Sequence, residues 1–313
     1  MVKSKEQQVY SIRRWFARWG WRRVALVAGL LMLFAWALAP AARGVTLVAN
    51  RSGRGAPDPH SVGMPVREVH FAASDGVRLA GWLAMASPNA PSVILVHGFK
   101  GRRADMLPWA RFLYAAGYNV LLYDSRGCGE SDGWGIGLGA TEPDDVIGAV
   151  RYLESLPDLR DKRFGVLGVS LGAGDALLAA AREPAIAAVV ADSAWTDQQP
   201  QISRMTTLPF GPVTMPALPY EPALVDALIG ARLEDARPLA VIGQISPRAV
   251  LLIASADDTN ALTPLAGEQK LFAAAGNPKA QWIAPSGGHA GALAAHSAEY
   301  EQHVLAFFAQ YLR

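Results

Sequence analysis

The sequence predicts an α/β fold built on a mostly parallel, doubly wound sheet, preceded by one N-terminal transmembrane helix. Three observations predict it. Short apolar, β-prone runs alternate with helical runs from Ser92 onward, the pattern of a sheet covered on both faces. A serine stands between two glycines in Gly168-Val169-Ser170-Leu171-Gly172, between one such run, Arg163 to Leu167, and the helical stretch Leu171–Arg182. A 19-residue uncharged segment, Val24 to Ala42, follows a basic leader. With 313 residues and 51% hydrophobic composition there is ample material for one large core.

Taken in order, the leader comes first. Residues 1–23 carry a net charge of +6, and the remainder of the chain nets −4. The basic charge therefore belongs to the leader, and the mildly acidic body gives no reason to expect nucleic acid as a partner. Residues 24–42 would form about 28 Å of helix, close to a hydrocarbon core of ~30 Å. Basic residues before the span predict a cytoplasmic N-terminus and a body on the far side of the membrane. The competing reading is a signal peptide cleaved in the run Ala37–Ala41, which would leave a secreted protein; Pro40 hinders cleavage directly after Ala39. Residues 43–65 read as a linker and residues 66–313 as the folded body of the chain. A chain starting near Asn50 is expected to be soluble and to keep whatever function this body carries, since the motifs described next all lie from His97 onward.

Val66–Ala72 and Val77–Ala84, split by Ser74-Asp75-Gly76, read as an antiparallel hairpin opening the sheet. Ser92–Val96 follows as a buried strand leading into His97-Gly98-Phe99-Lys100-Gly101. The next informative junction is Gly168-Val169-Ser170-Leu171-Gly172. A turn tight enough to exclude side chains two residues either side of Ser170 pushes its hydroxyl out at the sheet edge. A serine hydroxyl is a poor nucleophile and needs a base, itself oriented by a third group. Downstream of Ser170 stand three histidines, and only His289 lies in a Gly-rich loop after an apolar run; His296 and His303 fall in or near the last helix. Ala249–Ala254 reads as a buried parallel strand ending at Asp257 and Asp258. Either carboxylate suits the orienting role, and spacing favours Asp258, leaving Asp257 to cap the loop. The amides of Leu171 and Phe99 are the expected oxyanion donors. No metal or cofactor is expected.

These residues identify the chain as resembling an α/β-hydrolase, similar to the branch of serine-aminopeptidase-like and small esterase members. The resemblance rests on HGFKG at 97–101, YDSRGCGESDG at 123–133, GVSLG at 168–172, SADD at 255–258 and GGHAG at 287–291. It covers residues 66–313 and departs from the family pattern at the acid loop, where Ser255 replaces a glycine and Thr263-Pro264 comes late. It implies scaffold roles for Asp124 and Arg126. Cys128, the single cysteine, reads as a small buried side chain.

Residues of about 195–245 change character: 207–222 hold five prolines among apolar side chains, as a lid inserted between two strands would. Roofing of an acyl pocket by Phe210, Met215 and Leu218 is the expectation. The sequence thus reads as a membrane-anchored serine esterase for a small acyl substrate with an apolar portion. A peptidase or acyltransferase using the same acyl-enzyme is the alternative within enzymes, and a catalytically silent tethered binding protein is the alternative outside them.

Overall fold

The computed structural model describes residues 5–50, 63–210 and 212–312. Side chains are described from Gly20 onward, so Trp15 and Trp19 of the leader lie outside that description, as does the side chain of Phe210. Helix α1 (Lys5–Val48) breaks at Gly20, where φ is 64°. From Gly20 to Val48 it is 29 residues long, with a window of mean hydropathy 2.2 that is almost wholly exposed. By length and composition this segment could cross a membrane or act as a signal sequence.

The strands are β1 (Arg67–Ala72), β2 (Arg78–Ala84), β3 (Ser92–Val96), β4 (Asn119–Tyr123), β5 (Phe164–Val169), β6 (Ile186–Asp192), the pair β7 (Thr207–Phe210) and β8 (Val213–Pro216), then β9 (Ala249–Ser255) and β10 (Lys279–Ala284). Eight of them form one sheet in the order β1-β2-β4-β3-β5-β6-β9-β10, antiparallel at β1/β2 and β2/β4 and parallel elsewhere. Period-2 alternation divides the core between its faces. Ile94, Val96, Leu121 and Tyr123 face one cluster, while Val93, Leu95, Val120 and Leu122 face the other.

After α1, the helices are α2 (Leu107–Ala115), α3 (Pro143–Ser155), α4 (Leu171–Arg182), α5 (Gln199–Arg204), α6 (Glu221–Ile229), α7 (Pro238–Val241), α8 (Leu265–Ala274), α9 (Ala292–Ala295) and α10 (Ser297–Tyr311). Helices α3, α4 and α8 bury apolar residues in the first cluster; α2 and α10 bury theirs in the second. Helices therefore cover both faces, as the alternation of runs predicts. The segment from α5 to α7, with the separate β7/β8 hairpin, is inserted between β6 and β9.

One boundary needs correction. The linker expected from residue 43 begins as helix: α1 continues to Val48, whose side chain is buried with Cys128, Ile136, Leu138, Met205, Val225 and Leu233. Ala49 then bridges to Gly135. The rest of the expected linker, 51–62, lies outside the described residues.

Three further contacts fix the last turns of α1 to the inserted segment. Arg43 makes a bidentate pair with the fully buried Glu221 and also donates to the carbonyls of Met205 and Thr207. Pro40 interrupts the hydrogen-bond ladder, and the Tyr220 hydroxyl enters the gap, accepting from the Ala41 amide and donating to the Ala37 carbonyl. Trp36 donates its indole N–H to the Pro216 carbonyl at 3.0 Å.

Candidate active site

Ser170 sits between β5 and α4 with φ 57° and ψ −116°, a left-handed conformation costing a non-glycine residue about 1–3 kcal/mol. The surrounding packing imposes it. A Cβ on Gly168 would lie 2.0 Å from the Gly172 carbonyl oxygen, and one on Gly172 would lie 2.5 Å from the carbonyl oxygens of Val96 and His97. Both glycines are therefore required by contact, and the chain must turn at the serine. The Ser170 amide is held by the Asp192 carbonyl at 2.8 Å.

The structure brings Ser170, His289 and Asp258 into one chain of hydrogen bonds. Ser170 Oγ lies 2.8 Å from His289 Nε2, and His289 Nδ1 lies 3.0 Å from Asp258 Oδ2. Asp258 is nearly buried, and its other oxygen accepts the Asn260 amide. Asp257 does not reach the imidazole. Its carboxylate accepts the Gly287 and Gly288 amides, which hold the histidine loop and lower its pKa. With Nδ1–H donating to Asp258, Nε2 is the free acceptor for the serine proton.

Sequence reasoning missed Thr263. Its hydroxyl donates to Asp258 Oδ2 at 3.2 Å and lies 3.0 Å from His289 Nδ1, so it buttresses the same carboxylate. The late Thr263-Pro264 of the acid loop was the available signal. The histidine loop is also braced from below. The Ala290 amide donates to Ser193 Oγ, Ser193 Oγ to Asp192, and the Tyr300 hydroxyl to the other Asp192 oxygen. Burial raises Asp192 to about 6, against the hydrogen bonds from Tyr300 and Ser193, which favour its ionised form.

Leu171 is the first residue of α4, so its amide is among those with no acceptor inside the helix. Gly98 and Phe99 line the cavity beside Ser170. His97 is buried behind them, its Nδ1 2.8 Å from the Gly98 carbonyl and its Nε2 accepting the Ser125 amide. It braces the loop. Arg126 pairs with Asp145 and Asp75, Asp124 with Arg103, and burial pushes the Cys128 thiol up to about 12.

The cavity in front of Ser170 encloses about 560 Å³ and is lined mainly by apolar groups, among them Leu47, Leu138, Trp195 and Leu262. Leu47 comes from α1. Gln201 of the inserted segment contributes, with Asp197 and Gln198 from the turn leading into it, whereas Met215 and Leu218, expected as a roof, do not line it.

The family profile of the X-Pro dipeptidyl-peptidases (S15 family) matches residues 50–218, just over half of the chain. The chain belongs to this family. It is similar to the uncharacterized protein YqkD of Bacillus subtilis, 28% identical over 251 residues covering 80% of this chain and 77% of YqkD. Thiohydrolase aneE of Aspergillus aculeatus is 33% identical over 118 residues, 36% of each chain. Among solved structures, the Pyrococcus furiosus esterase Pf2001 superposes with a TM-score of 0.67 at 22% identity, covering 84% of this chain and 100% of that one. This S15 family member therefore has the α/β-hydrolase fold, the fold it shares with that esterase.

Proposed function

We propose that this protein is a serine hydrolase cleaving carboxylic esters through an acyl-enzyme. Support comes chiefly from one observation: Ser170 Oγ, His289 and Asp258 form a continuous relay at 2.8 and 3.0 Å, facing a mainly apolar cavity. Ser170 Oγ attacks the ester carbonyl while His289 Nε2 takes its proton. Asp258 fixes the tautomer and balances the imidazolium. The amides of Leu171 and Phe99 face the developing oxyanion. His289 then protonates the leaving alcohol, and a water activated by the same imidazole releases the acid. The apolar lining suits the hydrocarbon portion of the acyl group.

A second reading, peptide cleavage as the family's name suggests, has one supporting feature. Asp197 is a carboxylate of the cavity lining that could receive a free amino terminus. Fluorophosphonate labelling of wild type and Ser170→Ala, with turnover of acyl nitrophenyl esters and an Ala-Pro anilide, separates the readings. Labelling confined to wild type, and a loss of ester turnover of about 10⁴-fold or more in Ser170→Ala, are expected. Labelling that survives Ser170→Ala overturns the mechanism, and anilide cleavage without ester cleavage gives the peptidase reading.

We further propose that α1 is a retained span, with the catalytic domain 66–313 outside the cytoplasm. Bonds from Trp36, Ala37, Ala41 and Arg43 to the inserted segment support retention.

A further inference from the structure

Residues 205–220 contain no Asp, Glu, Lys or Arg. Much of this stretch is the β7/β8 hairpin, a two-stranded sheet separate from the main one. All four residues of β8 are exposed, including Val213 at 55% and Met215 at 40%. A two-stranded hairpin is at best marginally stable alone in water, and an exposed strand of this kind ordinarily carries charges that keep other chains away. Here prolines at 209, 212, 216 and 219 instead remove backbone donors.

The position of the hairpin along α1 decides what covers it. Arg23 and Arg43 bound the uncharged stretch, about 30 Å apart at 1.5 Å per residue, one hydrocarbon thickness. Trp36, bonded to Pro216, lies about 10 Å inside that boundary, and Ala37, bonded to Tyr220, about 9 Å inside it. Were the apolar layer to end short of Trp36, only Val24–Ala35 would remain, roughly 18 Å and too short to span. A helix that spans between its two arginines therefore carries the base of the hairpin into the bilayer with it.

We propose that the β7/β8 hairpin is a second membrane contact, seated in the leaflet beside the end of α1 with Val213 and Met215 among the acyl chains. It rests on the retained-span reading of α1. Trp36 and Arg43 satisfy the carbonyls of Pro216 and Thr207, and the prolines leave the hairpin fewer backbone donors to satisfy in an apolar layer. Leu47 lies four residues past Arg43, about 6 Å, so the mouth of the cavity it lines opens near the headgroups.

The test uses the full-length chain in phosphatidylcholine–phosphatidylglycerol vesicles, with an environment-sensitive thiol dye placed by Val213→Cys or Met215→Cys. Cys128 is buried and its thiol held protonated, so it does not compete for dye. A third label, at Glu154→Cys on an exposed site of α3, reports water. Labels at 213 and 215 should emit to the blue and lose intensity with brominated acyl chains, while the label at 154 should be quenched by aqueous iodide. Iodide quenching at 213 and 215 in protein that resists carbonate extraction overturns the hairpin contact and leaves the span standing. Release of the whole protein by carbonate overturns the span and the hairpin contact together. Protection from both quenchers means a second copy covers the hairpin, which also overturns the proposal.

Discussion

The cavity has two walls of different origin. One belongs to the α/β core: Ser170, His289, Gly98 and Thr263 lie on loops that follow strands of the main sheet. The other is brought from outside that core by Leu47 of α1, by Gln201 of the inserted segment and by Gln198 at its entry. The first wall is fixed by contacts that no side-chain change could relax, as at Gly168 and Gly172. The second is held by a handful of bonds between α1 and residues more than 160 positions away. The Ser170–His289–Asp258 geometry thus resides in the core, and the shape of the cavity facing it depends on the N-terminal helix.

The sharpest way to break this division lies in the first wall. Asp258→Asn should lower kcat by about 10⁴-fold by disturbing the His289 tautomer, whereas Asp257→Asn, which loosens only the Gly287–Gly288 loop, should cost far less. Steady-state kinetics on one soluble ester checks both. Equal losses would show that loop position matters as much as the orienting carboxylate.

That core wall was largely legible in the sequence, because its rules are local. Two glycines around a serine report a steric constraint five residues long, and a strand ending in Asp-Asp offers only two candidates. The outer wall was not legible in the same way. Arg43 and Glu221 are 178 positions apart, and nothing in either neighbourhood names the other. The proline-rich stretch 207–222 was expected to roof the pocket, since apolar, proline-stiffened composition suits a lid and a membrane-facing hairpin alike. Its partner proved to be α1. Thr263 was hidden for a related reason: only the fold brings its hydroxyl between two residues 31 positions apart.

The same pairing weighs against the expectation that a chain starting near Asn50 stays soluble and active. Such a chain lacks Arg43, which leaves the buried Glu221 carboxylate unpaired at a cost of roughly 3 kcal/mol, the lower end for a broken pair because Arg43 is partly exposed. It also lacks Val48 from its cluster, a further loss of about 2 kcal/mol. A chain starting at Trp36 keeps both. Thermal melts of the two in the same detergent should differ clearly, and Glu221→Gln should recover part of the deficit in the shorter one. Coincident melts would show that the end of α1 is a passive tether.

The smallest effect sharpens the role of the second wall. Leu47→Trp should shorten and Leu47→Ala lengthen the preferred acyl chain, with ratios of kcat/KM between long and short esters moving by about tenfold. Acetyl esters, too short to reach that wall, should change much less. An unaltered chain-length profile would remove α1 from substrate selection.

Lys100 gives the arrangement a register. Its ammonium donates to the carbonyls of Thr46 and Ala49 while its backbone continues the loop that carries Phe99. Each added residue turns a helix by about 100° and advances it 1.5 Å. One extra residue between Arg43 and Thr46 would therefore swing Arg43 away from Glu221 or carry Leu47 out of the cavity. Exchanging this helix for another apolar segment would have to splice upstream of Trp36, because from there to Ala49 the sequence is read as a key, by angle as well as by length.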